Sequence, residues 1–173
     1  LCGSQRCCYA DHVTKKELPL PTTSLPDDYR LRNRLGYRLS RLSRIMQAKL
    51  EHELAPHGMN RLKWCALSGV GLEGQASPSD LATHIGITRP ATSRLLKAME
   101  KEGLIARALT PQDGRAREIQ VTDLGRSKLA VCWPLVNRNN SHFVSKLATD
   151  DLAGLFQALD QLMGGEVAEL DDF

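Results

Sequence analysis

Two helix-start signals that stand eleven residues apart constrain the fold of this chain more than any other feature. In "SPSDLATHIG", Ser77 is suited to cap a helix, Pro78 to begin its first turn, and Gly86 to end it. Thr88 then offers a second cap, and apolar residues recur at helical spacing until Gly103. These signals predict two helices of about 8 and 14 residues joined by a tight turn, a helix-turn-helix in outline.

A hairpin is predicted directly after these helices. The segments "GLIARALT" and "REIQVTD" are typical of short strands, and the Asp-Gly turn within Thr110–Ala116 joins them. The resulting order of helix-turn-helix, strand, basic loop and strand is that of a winged helix. The turn needs its Asp-Gly pair but not the arginines in and around it, which we interpret as being there for DNA: Arg107, Arg115, Arg117 and Arg126.

The polar half of the second helix has the side chains that a DNA major groove selects. On a helical wheel one half holds Ala91, Leu95, Leu96, Ala98 and Met99. The other half holds Pro90, Ser93, Arg94, Lys97 and Lys101. Short hydroxyl side chains and cations of this kind contact phosphates and guanine edges. A solvated face of an ordinary amphipathic helix shows the same stripe, and the basic hairpin beside it favours the DNA interpretation.

We therefore predict a DNA-binding surface made by this helix and the wing. The residues expected from the helix and its cap are Thr88, Arg89, Pro90, Ser93, Arg94 and Lys97. At the wing, Arg115 is expected to enter an electronegative minor groove and Arg117 to contact a phosphate. Asp113 is expected to orient Arg115 through a charge-assisted hydrogen bond.

Charge is unevenly distributed along the chain. From Arg30 to Leu50 there are seven Lys/Arg and no Asp/Glu, whereas Lys146 to Phe173 has one basic and seven acidic residues. This polarisation suggests a positive face for a polyanion and an acidic end kept away from it, although a randomly mixed surface is the alternative. At 173 residues the chain is long enough for one domain with a core.

Helices are also predicted at both ends of this unit. Leucines at three- and four-residue steps predict a helix over Tyr29–Leu54, and a second helix is expected over about Asn60–Val70. Pro134 is expected to kink a long helix that begins after Thr122. Thr149 is expected to cap a final helix with a broad apolar stripe. Together these ends hold more apolar helix than a small winged domain needs, which favours dimerisation.

These observations divide the chain into five parts. They are a flexible extension 1–28, an N-terminal dimerisation helix 29–58, a winged helix-turn-helix 59–122, C-terminal dimerisation helices 123–165, and an acidic tail 166–173.

Several classes of protein and site are not indicated. Apolar runs fall short of the ~18 residues of a membrane span and the N-terminus has no signal-peptide pattern, so we expect a cytoplasmic protein. The five cysteines are odd in number, which argues against a disulfide framework, and their spacing completes no metal site. No catalytic constellation, phosphate-binding glycine loop or cofactor motif is visible, so we expect no enzyme and no cofactor.

The segment "SPSDLATHIGITRPATSRLLKAMEKEGLIARALTPQDGRAREIQVTDLG" resembles the MarR family of bacterial transcriptional regulators. The resemblance extends over about 29–164 and lies in three motifs: the wing Asp-x-Arg (Asp113, Arg115), the closing Val-Thr-x-x-Gly (Val121, Thr122, Gly125), and the "GLI-R" exit (Gly103, Leu104, Ile105, Arg107).

The resemblance implies a mainly α-helical winged helix-turn-helix with a small β-hairpin, dimerising through its N- and C-terminal helices. It also implies a homodimer on a palindromic operator, which many members release when a small aromatic or lipophilic acid binds near the dimerisation junction. By analogy, the candidate effector-pocket residues are Arg38, His57 and Trp64. Core packing of the tryptophan and an ordinary surface cation are the alternative.

The sequence therefore predicts a sequence-specific DNA-binding transcriptional regulator, a repressor released by a small-molecule effector. Two alternatives stay open. A winged-helix protein–protein interaction module predicts a neutral or apolar face on the second helix, and a nonspecific DNA-binding protein predicts equal binding to any duplex.

Overall fold

A computed structural model of the protein describes residues 28–109 and 117–166. Within these ranges the α-helices are α1 Leu35–Leu54, α2 Arg61–Glu73, α3 Pro78–Ile85, α4 Arg89–Lys101, α5 Asp123–Val144 and α6 Thr149–Met163. Two short 3-10 turns lie at Leu31–Asn33 and Ala55–His57, and the strands are β1 Ile105–Leu109 and β2 Arg117–Val121. The predicted order and fold class are confirmed. The extension before residue 28, the hairpin turn 110–116 and the tail after residue 166 lie outside the described residues.

The helix-turn-helix begins and ends where its capping residues predict. The hydroxyls of Ser77 and Thr88 accept hydrogen bonds from the backbone N–H groups three residues further on, at 3.1 and 3.3 Å. Gly86 ends α3 in the left-handed region at φ 73°, which glycine adopts without strain. Local side-chain chemistry therefore sets where α3 and α4 begin and where α3 ends.

Three helix boundaries differ from the prediction. Helix α1 begins at Leu35 rather than Tyr29, because the basic residues before it, among them Arg34, oppose the positive end of a helix dipole. Helix α2 continues to Glu73, past Gly71, where an added Cβ would meet Leu129 and Val121. At α6 the cap position is Ala148, and Thr149, which was predicted to cap, is the first helical residue.

The core lies between α2, the helix-turn-helix, the wing strands and α5. Strands β1 and β2 pair antiparallel from Ile105 opposite Val121 to Leu109 opposite Arg117. The N–H of Ile119 also donates to the Ala76 carbonyl at 2.9 Å, which ties the wing to the segment before α3. The fully buried large side chains are Leu54, Leu67, Leu81, Leu96, Met99, Ile119, Thr92 and Cys132.

The terminal helices are much less buried. In α6 no residue is buried, and Phe156 and Met163 are 54% and 63% exposed. In α1, Leu35 and Ile45 are 52% and 50% exposed. Pro134 lies inside α5 as predicted, while the bend expected there stays a prediction. Over the described ranges, the helices include none whose apolar length would cross a bilayer.

Candidate nucleic-acid interface

Helix α4 packs against the core through one side. Thr92, Leu96 and Met99 are each at most 1% exposed. The Thr92 hydroxyl is satisfied because it donates to the Thr88 carbonyl at 3.0 Å. Ala98, which the wheel assigned to the apolar half, is exposed, so that assignment was wrong. The burial of Thr92 could have been predicted from its spacing of four and seven residues from Leu96 and Met99. It was missed because a threonine has a polar hydroxyl and was not counted as a core residue.

The opposite side of α4 is open and positively charged at the helix N-terminus. Arg89, Pro90, Ser93, Arg94 and Lys97 are all exposed. Within residues 28–109 and 117–166, no ion pair involves the three cations of this set. The first turn of α4 also has no acidic residue. Cations and backbone N–H groups therefore converge at one helix end, an arrangement that attracts phosphates.

The wing residues of the prediction are only partly described. Asp113 and Arg115 lie outside the described residues, and only the backbone of Arg117 is described, at the start of β2. The DNA contacts expected of these three residues stay predictions.

The two outer arginines belong to the base of the wing. The Nε of Arg107 lies 3.4 Å from the Glu100 Oε2, and this side chain is only 19% exposed. Arg126 donates to the Val121 carbonyl at 2.7 Å and to the Asp123 Oδ1 at 2.5 Å. The expectation that all four arginines serve DNA is therefore wrong for Arg107, whose guanidinium joins β1 to the recognition helix.

The Val-Thr-x-x-Gly motif has a packing role at the junction of α4, the wing and α5. The Thr122 hydroxyl caps α5 by accepting from the Gly125 N–H at 3.1 Å, and it donates to the Gly103 carbonyl at 2.6 Å. A Cβ on Gly125 would overlap the Leu104 carbonyl oxygen and the Val121 side chain. The motif therefore lets the start of α5 pack closely against Gly103 and Leu104, the residues that follow the end of the recognition helix.

A lysine that the sequence reasoning missed holds the same end of α4. The Lys63 Nζ lies 2.8 and 2.7 Å from the two carboxylate oxygens of Glu102 and 3.3 Å from the Gly58 carbonyl oxygen. Lys63 and Glu102 are 39 residues apart, so no local pattern signals the pair.

The three candidate effector residues do not meet in the structure. Trp64 is buried in the core and lines a cavity of about 520 Å³ between α1, α2 and α5. Arg38 is exposed and lines a different hollow on α1, where its Nε donates to the Arg32 carbonyl at 2.7 Å. His57 lines neither, and its carbonyl accepts from the Lys128 Nζ at 2.6 Å.

The cavity beside Trp64 presents a different set of polar groups. Asn139 is 5% exposed, its Nδ2 donates to the Met46 carbonyl at 3.4 Å, and its Oδ1 accepts no hydrogen bond from the described residues. Arg61 reaches this cavity with its Nη1 4.0 Å from the Cys65 Sγ. Burial raises the pKa of the Cys65 thiol, although Arg61 acts in the opposite direction. The cavity therefore combines an aromatic wall, a cation and an unsatisfied acceptor, and only Trp64 was predicted.

A second cavity, of about 950 Å³, lies between the end of α2, strand β2 and the first half of α5. Trp133 lines it, and its ring centroid stands 6.5 Å from that of Trp64. The described residues hold two free thiols, Cys65 and Cys132, and no group of three side chains suited to a metal ion.

The amino-acid sequence matches the model of the MarR family over residues 57–116. A MarR family transcriptional regulator from Silicibacter pomeroyi DSS is 29% identical, with a TM-score of 0.69, over 83% of this chain and 93% of that one. The transcriptional repressor CouR bound to a 23-mer DNA duplex is 29% identical, with a TM-score of 0.65, over 75% and 92%. CouR from Rhodococcus jostii RHA1 bound to p-coumaroyl-CoA shares the fold at 21% identity and a TM-score of 0.69, over 81% and 99%.

Proposed function

We propose that the chain is a homodimeric repressor of the MarR family of transcriptional regulators, whose model matches residues 57–116. It binds a palindromic operator specifically and leaves it when a small-molecule effector binds. The family consists of transcription regulators rather than enzymes, as expected from the sequence. A regulator of this kind acts on bacterial DNA, and hence in the cytoplasm.

The exposed face of α4 is the observation that carries this proposal. Arg89 and Arg94 lie in the first half of α4 and Lys97 lies further along the same exposed side, and within the described ranges none of the three has an ion-pair partner. Such a face reads a major groove, with Ser93 and Pro90 allowing close approach to base edges. In this proposal Thr88 caps the reading helix, Arg115 enters the minor groove, Arg117 contacts a phosphate and Asp113 orients Arg115.

The exposed apolar side chains of the terminal helices support a homodimer. Phe156 and Leu162 on α6 are 54% and 53% exposed, and Leu35 on α1 is 52% exposed. Large apolar side chains left exposed on one element are typical of a protein–protein interface. We place the dimerisation helices in 29–58 and 123–165, on either side of the winged unit 59–122. The two recognition helices then meet half-sites one DNA turn apart, about 34 Å.

The cavity beside Trp64 is the better candidate for the effector. CouR from Rhodococcus jostii RHA1 has been solved with p-coumaroyl-CoA, a thioester of an aromatic acid. In this chain we propose that a small aromatic or lipophilic acid packs on Trp64, pairs with Arg61 and donates a hydrogen bond to the Asn139 Oδ1. The ligand releases DNA if it binds more tightly to the conformation whose recognition helices no longer match the half-sites.

The alternatives are less well supported. A protein–protein module would present a neutral or apolar face on α4, whereas this face carries cations that form no ion pair with the described residues. A nonspecific DNA binder needs cations but not a reading helix beside a wing, and it would bind every duplex equally.

Fluorescence anisotropy on a duplex that the wild-type protein selects from a random pool tests the proposal. Arg94→Ala and Arg115→Ala should each weaken binding to this operator by about 1–3 kcal/mol and relax specificity at one position. Lys101→Ala is the comparison on the same polar face: Lys101 ends the helix far from its reading end, so this change should weaken operator binding less than Arg94→Ala does and should not relax specificity.

Equal, salt-sensitive binding of the wild type to the operator and to a scrambled duplex would make it a nonspecific binder. Absence of binding to both would favour the protein–protein module. Unchanged operator affinity in Arg115→Ala would remove the wing from the interface.

A further inference from the structure

Helix α4 ends on two carboxylates, which is an unfavourable place for negative charge. Glu100 lies in its last turn and Glu102 is its C-cap residue. The C-terminus of a helix has a partial negative charge that disfavours acidic side chains beside it. Both carboxylates are held by cations from other elements, Glu100 by Arg107 of β1 and Glu102 by Lys63 of α2.

The contact made by Lys63 is more constrained than an ordinary surface ion pair. Its side chain is only 17% exposed, and its ammonium lies within 2.8 Å of both Glu102 oxygens while also reaching the Gly58 carbonyl. The backbone of Lys63 is fixed as well, because its N–H donates to the Asn60 Oδ1 at 2.8 Å. A partly buried, multiply bonded ammonium of this kind has little freedom to follow α4 if that helix moves.

The geometry points to Lys63 as a positioning residue for DNA recognition: through Glu102 it sets the tilt of α4 and hence the register of the α4 N-terminus in the major groove. This inference rests on the proposed DNA-binding function. It assigns Lys63 no contact with DNA.

Glu102 can affect DNA recognition because a small rotation at the C-terminus of α4 moves the side chains at its N-terminus. The 13 residues of α4 span about 20 Å, with Arg89 and Arg94 toward one end and Glu102 at the other. Between them α4 is held by Leu96 and Met99, whose apolar contacts are non-directional and permit a small rotation. A directional bond at the far end stops that rotation, and base-edge hydrogen bonds tolerate only fractions of an ångström.

Comparing binding to operator with binding to a scrambled duplex distinguishes two roles for Lys63: orienting α4, or attracting DNA by its own positive charge. We expect Lys63→Met to weaken operator binding about tenfold and to leave scrambled-duplex binding and the salt slope unchanged, because no phosphate contact is lost. Lys49→Met is the matched control: it removes a lysine that pairs with Glu53 at 3.7 Å within α1, away from α4, and should leave the ratio of operator to scrambled-duplex affinity unchanged.

Reversing the pair separates positioning from helix stability. A glutamate at position 63 would form a capping box with Asn60, and a lysine at position 102 would favour the helix dipole, so each single reversal improves local helix chemistry. The inference nevertheless expects Lys63→Glu and Glu102→Lys to weaken operator binding singly, because each places like charges together. In the double variant, the loss in the logarithm of operator affinity should be at most half of the loss in the weaker-binding single variant.

Three results would overturn the inference: unchanged operator affinity in Lys63→Met, an equal loss on both duplexes, or losses that add in the double variant. A wild-type protein that does not distinguish operator from scrambled duplex would instead refute the proposed function, so the two failures are distinguishable.

Discussion

The winged unit and the terminal helices differ in how far their apolar side chains are buried. In the winged unit Leu96, Met99 and Ile119 are at most 2% exposed within a single chain. In the 15-residue α6 no side chain is buried, and Leu162 remains 53% exposed. The first region buries its apolar side chains within one chain, while the second leaves its apolar face exposed among the described residues.

This difference shows where one chain is sufficient and where two are needed. The winged unit is closed by short polar contacts, such as those of Thr122 and Lys63, which fix α4 within its own chain. The terminal helices instead carry large exposed apolar groups and opposite charge, since 30–50 is basic and 146–173 acidic. We therefore expect the contacts to bases to depend on the fold of one protomer, and the affinity for the whole operator to depend on the dimer.

The largest effect is expected from placing a charge on the apolar face of α6. Leu162→Glu should dissociate the dimer at micromolar concentration, as measured by analytical ultracentrifugation. Operator affinity should then fall by about 100-fold or more, because the second half-site is no longer tethered to the first. The winged unit should stay folded, with the near-ultraviolet circular dichroism of buried Trp64 preserved.

Gln157→Glu is the matched control for this change, because it adds the same charge at an exposed position of α6 on the side away from Leu162. It should remain dimeric. A Leu162→Glu protein that sediments as a dimer would show that α6 is not part of the interface.

A second effect, on stability rather than on binding, distinguishes the two regions by the space around their glycines. Gly125→Ala should lower the free energy of unfolding by about 3 kcal/mol, because the added methyl group overlaps the Leu104 carbonyl oxygen within the closed core. Gly154→Ala in α6 meets nothing within 4 Å in its own chain and should raise it by about 0.5–1 kcal/mol. Urea titration measures both, and equal losses would contradict the distinction between the regions.

The smallest effect concerns helix caps. Thr122→Ala should lower the free energy of unfolding by about 1–2 kcal/mol, because its hydroxyl caps α5 and donates to Gly103. Thr149→Ala changes the same residue type at the start of α6, where the cap makes no side-chain hydrogen bond, and should cost less than about 0.5 kcal/mol. A larger loss at Thr149 would assign it the capping role predicted from the sequence.

The sequence predicted best what local chemistry determines. Ser77, Gly86 and Thr88 define α3 and α4 because their capping bonds span only a few residues. The exposed cations of α4 were likewise predicted, since a helical wheel needs only the residues of one helix. The wing was predicted from its turn and the alternation of Ile119 and Val121.

What the sequence did not predict depends on distant partners. Lys63 meets Glu102 across 39 residues and Asn139 meets Met46 across 93, and no periodic pattern encodes such pairs. Arg107 was misinterpreted for the same reason, because its partner Glu100 lies on another element. The effector residues were chosen by analogy, so Arg61 and Asn139, which share the cavity with Trp64, were missed.

The most direct test of the account is the binding of the wild-type protein to its selected operator with altered half-site spacing. Inserting about five base pairs between the half-sites rotates one of them by half a turn of DNA. Affinity should fall to that of a single half-site, because one rigid dimer cannot reach both. Unchanged affinity after the insertion would mean that the two recognition helices do not act together, and would contradict the proposed dimeric mode of recognition.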